Sequence, residues 1–101
     1  PSNYIHSLDA AHCHMSLVEA SKHGLKNFCV IHDCYGSPAS ELQRFIECVK
    51  QSFFNIYRNN NLDNLYHQTT KQLSDSSKLP TALDMGDFDI EDVLTAPYIF
   101  T

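Results

Sequence analysis

The feature that most constrains this chain is an apolar repeat running from Ala39 to about Arg58. Leu42, Phe45, Ile46, Val49, Phe53, Ile56 and Tyr57 recur at the three- and four-residue spacing that puts them on one side of an α-helix. A stripe of that kind has little stability alone in water, so the rest of the chain must supply a surface to cover it. Ser37 and Pro38 ahead of it offer an N-cap and a first helical residue, and the polar run Arg58 to Asn61 ends it.

Three further segments can supply that surface. Residues 7 to 23 put Leu8, Ala11, Met15 and Val18 on a helical stripe, with Ser7 as the N-cap and Gly24 as the left-handed stop. Phe28, Cys29, Val30 and Ile31 form an apolar run too short for a helix and rich in strand formers, which predicts a buried strand followed by a turn over Cys34 to Pro38. A shorter helix is expected over residues 62 to 73, carrying Leu62, Leu65, Tyr66 and Leu73, with Asn61 or Asp63 at its start. Residues 74 to 87 are polar and broken by Pro80 and Gly86, which predicts a surface loop; one helical turn is expected within Phe88 to Leu94 before an apolar ending. The fold class is α+β.

Composition narrows the function. A chain of 101 residues with 43% hydrophobic content is one small domain or a piece of a larger one. No run reaches the roughly 20 apolar residues that a membrane-spanning helix needs, and no secretory leader is visible. Twelve acids against seven bases give a net charge of -5, so the chain lacks the basic excess of an independent nucleic-acid-binding domain. Cys13, Cys29, Cys34 and Cys48 are scattered, with neither a dense disulfide framework nor a CxxC pair, which fits a reducing compartment.

Three groups of residues could carry chemistry. His12 and His14 have metal-ligand character, but positions two apart on a helix point to different sides, and a shared zinc ion is hard to build. Cys34 and His32 could form a thiolate–imidazole pair, although nothing in the sequence orients them. Asp33 closes the apolar run, where an unpaired buried charge would cost several kcal/mol. Either it is a solvated turn residue or it is a rigidly mounted carboxylate for a divalent cation such as Mg²⁺, which takes one or two carboxylates together with substrate phosphates.

The stretches "NYIHSLDAAH", "FCVIHDCYG" and "GDFDIEDVLTAPYIF", in this order and spacing, resemble the C-terminal part of the single-subunit DNA-dependent RNA polymerases of bacteriophage and mitochondrial type. The resemblance covers essentially the whole chain, residues 1 to 101, and implies a fragment of the palm subdomain: a helix, a β-hairpin bearing the His-Asp motif, a long amphipathic helix, a shorter helix and an extended tail. It implies that Asp33 is one of two catalytic aspartates holding two Mg²⁺ ions, with His32 beside it near the growing RNA end. Asn3, Tyr4, Ile5, His6 and Ser7 match a motif whose histidine contacts the template hybrid, so His6, with Asn3 and Ser7, is expected at the nucleic acid. Tyr35 and Gly36 fall in the active-site neighbourhood, and Tyr98, Phe100 and Thr101 match an aromatic C-terminal foot near the same centre. The implied partners are template DNA, RNA transcript, nucleoside triphosphates and the rest of the polymerase chain, in a mitochondrial or phage- or plasmid-encoded setting.

The chain departs from that pattern in three places: Cys34 stands where Ser is usual, Ile99 where a second Phe is usual, and Ser2 separates Pro1 from Asn3. Two-metal phosphoryl transfer also needs a second carboxylate and a cationic group for the triphosphate. In the family both lie upstream, with the fingers helix, and no spacing places Asp9, Asp87, Asp89, Glu91 or Asp92 beside Asp33. The expected function is DNA-directed RNA polymerase with one catalytic aspartate supplied here and no activity in isolation. The alternatives are a non-catalytic remnant or interaction module, and a small zinc or thiol enzyme.

Overall fold

A computed structural model describes residues 2–73 and 79–99. The chain runs α1 (Ser2–Lys22), β1 (Cys29–Ile31), β2 (Cys34–Gly36), α2 (Leu42–Tyr57), α3 (Asn61–Gln72) and α4 (Asp92–Thr95), an α+β arrangement in which the two strands form one antiparallel hairpin. The hairpin sits against the α1–α2 pair, and the segment after α4 returns to the same core.

α2 forms where its apolar repeat predicts, slightly shortened. Phe45 and Val49 are buried, and Ile46, Phe53, Ile56 and Tyr57 are half-buried, while Leu42 remains 42% exposed. Ser37 is not its cap: the Ser37 hydroxyl points towards the Asn27 carbonyl at 3.5 Å. Pro38 instead opens a separate tight turn, closed by the Glu41 amide on the Pro38 carbonyl at 2.9 Å, and the helix begins after it.

α1 departs from the sequence reading in two ways. It begins at Ser2, so Ser7 lies inside the helix and its hydroxyl donates back to the Tyr4 carbonyl at 2.6 Å. Its buried stripe is His12, Ser16 and Ala20, whereas Met15 and Val18 are 42% and 55% exposed. The reason is steric: Ser16 and Ala20, both 0% exposed, are small enough for α1 to approach the Phe45, Cys48, Val49 and Ser52 face of α2 closely. The seam tolerates its polar groups because they are satisfied. The Ser16 hydroxyl donates to the His12 carbonyl at 2.8 Å, and His12 Nε2 lies 3.0 Å from the Val49 carbonyl, which can only accept, so that nitrogen carries the proton.

Gly24 stops α1 as expected, at φ 80°. The Gly24 amide donates to Ser21 at 3.0 Å and the Leu25 amide to Ala20 at 3.1 Å, a Schellman ending whose hydrophobic contact is Leu25 with Ala20 in the core. Asn60 caps α3, accepting from the Asp63 amide at 3.0 Å, and the Tyr4 hydroxyl ties the helix to α1 by donating to the Asn61 carbonyl at 3.0 Å. The apolar residues of α3 are left largely uncovered, with Leu62, Leu65 and Leu73 all exposed. Residues 79–87 of the predicted loop are irregular, and 74–78 lie outside the described residues. The helical turn near the end is centred later than its first expected residue, at Asp92–Thr95, and buries Val93.

The seam yields a discriminating prediction. Ala20→Leu, which overpacks the α1–α2 contact, should cost roughly 1–3 kcal/mol. Met15→Ala and Val18→Ala, on the face first expected to be buried, should stay within about 0.5 kcal/mol of the parent. Chemical denaturation of the three variants checks this ordering.

Candidate active site

The His-Asp pair forms the tip of the hairpin. Cys29 pairs with Gly36, Val30 with Tyr35 and Ile31 with Cys34, leaving His32 and Asp33 as a two-residue loop. The turn expected over Cys34 to Pro38 is therefore strand β2, and the reversal lies earlier. Two-residue hairpin loops need a positive φ at their first position, usually from glycine. His32 takes that position at φ 57°, alone among the described non-glycine residues, at a cost of about 1–2 kcal/mol for an L-residue.

The strand was expected to be buried, but only one of its faces is covered. Val30 is half-buried, while Cys29 and Ile31 are exposed, Ile31 at 68%. The alternation follows from the pleat: a two-stranded ribbon has α1 and α2 on one side only. Tyr35 anchors that side, its ring 6.0 Å from Phe45 and 6.1 Å from His12. At Gly36 a Cβ would lie 2.7 Å from Cys29 Sγ across the ladder, so a larger residue there would make the exposed Cys29 side chain turn away.

Asp33 is exposed at this tip, and among the described residues no side-chain hydrogen bond or ion pair reaches it. It borders two depressions. One, of about 470 Å³, lies between α1 and the hairpin and is lined by His6, Asp9, Cys13, His14, His32, Asp33 and Tyr35 among others. The second, of about 350 Å³, lies on the other side, between Asp33, Cys34, Tyr35, α2 and the tail residues Pro97, Tyr98 and Ile99.

The structure thus brings His6, His32, Asp33 and Tyr35 together, with Tyr98 at the second depression. Asn3 and Ser7 are exposed on α1 and line neither depression; Gly36 is at the base of the strand; Phe100 and Thr101 lie outside the described residues. Asp9 was passed over because no spacing joined it to Asp33, yet it faces the same depression. The signal was present within α1: His6, Asp9 and Cys13 follow one another by three and four positions, a single helix face. The acids Asp87, Asp89, Glu91 and Asp92 line neither side of Asp33.

Burial, then the negative potential of Cys13 and Asp9, push the Tyr35 phenol up to about 12 against an opposing hydrogen bond with Ser16. Tyr35 is therefore neutral at physiological pH and adds no charge beside Asp33. A hard, exposed carboxylate oxygen suits Mg²⁺, which binds through one or two carboxylates plus phosphates. Among the described residues no group of three His, Cys, Asp or Glu side chains could hold a metal by itself, so Asp33 fits as one ligand of a site completed from outside this set. His12 and His14 do not converge: the first is 3% exposed, edge-on to Phe53 at 5.3 Å, and the second is exposed with Nδ1 2.7 Å from the Ala10 carbonyl. Among the described residues no hydrogen bond joins His32 to Cys34.

The left-handed loop residue gives a test of this geometry. His32→Gly should leave stability at or slightly above the parent, whereas His32→Val, a β-branched residue at positive φ, should lose about 1–2 kcal/mol, roughly 4–16 °C in melting temperature. Circular-dichroism melting of both variants makes the comparison; equal melting temperatures would mean that the loop does not hold His32 in this conformation.

Comparison with known proteins bears on what such a tip is for. Residues 1–84 match the family described as DNA-dependent RNA polymerase. The chain is 32% identical over 100 residues to DNA-directed RNA polymerase 1A of Nicotiana tabacum, covering 99% of this chain and 63% of that protein. It is 32% identical to the mitochondrial DNA-directed RNA polymerase 1 of Nicotiana sylvestris, again over 99% of this chain but only 10% of the relative. The DNA-directed RNA polymerase of Enterobacteria phage T3 is 29% identical over 102 residues, 97% of this chain and 12% of the phage protein. No solved structure gives a significant match. The chain spans under two thirds of the first of these relatives and about a tenth of the others. With the family matched over most of its length, this chain belongs to the single-subunit DNA-dependent RNA polymerases of phage and mitochondrial type.

Proposed function

We propose that the chain is the palm segment, residues 1 to 101, of a DNA-directed RNA polymerase, and that Asp33 is one of two carboxylates holding the Mg²⁺ ions for template-directed nucleotidyl transfer. The observation that carries this reading is an exposed carboxylate with no partner among the described residues, at the tip of a hairpin whose first loop residue is held at positive φ, in a member of this family. Strained backbone that persists at an exposed polar tip fits a functional constraint better than a structural one.

When bound, Mg²⁺ supplies charge neutralisation at the phosphates and activation of the attacking hydroxyl. This chain's own part is positional. The hairpin, anchored by Val30 and Tyr35, carries Asp33 at its tip, bordering both depressions. His6 from α1 and His32 from the loop present imidazoles on the α1 side, where each can donate to or accept from a ribose hydroxyl or base edge. Tyr35, neutral at physiological pH, lines both depressions beside Asp33 without adding charge.

Among the described residues neither depression is lined by Lys or Arg. The positive charge for the triphosphate and the second carboxylate accordingly belong to the remainder of the polymerase, whose fingers and first palm motif act together with this segment on template DNA, transcript and nucleoside triphosphates. The reading carries a mitochondrial or phage setting with it, as the names of several relatives suggest.

Asp33→Asn in the complete polymerase keeps the side chain's shape and removes the charge. Single-nucleotide extension of an RNA primer should fall by at least about a thousandfold, roughly 4 kcal/mol of barrier. Stability should stay within about 0.5 kcal/mol, since an exposed and unpartnered side chain is altered. Normal extension would make Asp33 an ordinary solvated turn residue, and outright unfolding would make it structural.

A further inference from the structure

One wall of the second depression belongs neither to the hairpin nor to the helices. Pro97, Tyr98 and Ile99 supply it, and they follow α4, a single helical turn that is itself held by the buried Val93 and by contacts with α2. A short helical turn and an extended tail have few contacts with which to fix their own position. One polar tether does so: the half-buried Lys50 ammonium, on α2, donates to the carbonyl of Ala96, the residue that caps α4 at its C-terminal end. Among the described residues Lys50 makes no ion pair, so its charge is directed at the carbonyl end of that turn, where a cation is favoured. Beyond the tether, Ile99 packs on the core formed with Phe45 and Val49.

We infer that Lys50 is a positioning residue: by holding Ala96 it sets Tyr98 and Ile99 as the wall facing Asp33, and so shapes the active site on the side away from α1. The tether stands independently of the polymerase reading, whereas its consequence for nucleotide addition rests on it. Lys50→Met retains the aliphatic stem and removes the donor, and Lys50→Arg retains a donor.

Two measurements separate the claims. In the 101-residue chain, nuclear Overhauser contacts between Ile99 and the Phe45–Val49 face should vanish in Lys50→Met and persist in Lys50→Arg, with the α1–α2 contacts intact in both. Persistence in Lys50→Met overturns the tether. A Lys50→Met chain that unfolds, beside a chain ended at Ala96 that stays folded, also overturns it, because Lys50 would then support the core and not the tail. In the complete polymerase, Lys50→Met should lower the rate of single-nucleotide addition roughly tenfold to a hundredfold with primer–template affinity unchanged, and Lys50→Arg should recover most of that loss. In a polymerase ended at Ala96, Lys50→Met should bring no additional loss; an additive loss contradicts action through the tail. Should Asp33→Asn extend primers normally, the polymerase reading fails while the Overhauser result still decides the tether.

Discussion

Phe45 is the contact on which the rest of the structure depends. Its ring is 1% exposed, stacks on Phe28 with centroids 5.8 Å apart and 11° between planes, and meets Tyr35 at 6.0 Å and 63°. Phe28 leads into the first strand and Tyr35 lies on the second, so one side chain of α2 grips both arms of the hairpin. Offset and edge-on aromatic pairs add about 0.5–1.5 kcal/mol each beyond the burial of their area. Through them the exposed tip gains a firm base, although among the described residues no side-chain hydrogen bond or ion pair reaches the Asp33 carboxylate.

The division between core and tip explains what the sequence could reveal. α2 was legible because its apolar residues lie on one face and the face that is apolar is the face that is buried. α1 was legible as a helix but not in its orientation. Its apolar residues are spread around the axis, and the seam it makes with α2 selects His12, Ser16 and Ala20 for size and hydrogen bonding, which hydrophobicity does not report. The turn was misplaced for a related reason. Cys-Tyr-Gly-Ser-Pro carries stronger turn chemistry than His-Asp, and only the pairing of Val30 with Tyr35, whose ring is set against His12 and Phe45 of the two helices, places the reversal at a residue that resists positive φ. The resemblance to the polymerase family did carry the hairpin, because it encodes tertiary context that local propensity lacks. Asp9 escaped for want of a partner to pair it with until α1 was laid against the hairpin.

Several apolar side chains stay largely exposed among the described residues: Val18 on α1, Ile31 on the hairpin, and Leu83 and Phe88 after α3 are 55%, 68%, 80% and 69% exposed. Ile31 stands on the hairpin face opposite Val30 and Tyr35, which neither α1 nor α2 reaches. On the proposed function this face meets other parts of the polymerase, and a run of consecutive apolar residues where a lone hairpin needs only alternation is the sequence trace of a strand covered on both sides.

The central claim is that the hairpin tip is where the catalytic cation sits. The most direct test replaces Mg²⁺ by Fe²⁺ in the complete polymerase and maps the backbone cuts made by the hydroxyl radicals generated at the metal. The account predicts cleavage within the His32–Asp33 loop and its flanking strand residues, competed away by excess Mg²⁺ and lost in Asp33→Asn. Cuts that fall elsewhere and leave residues 28–36 intact would contradict it.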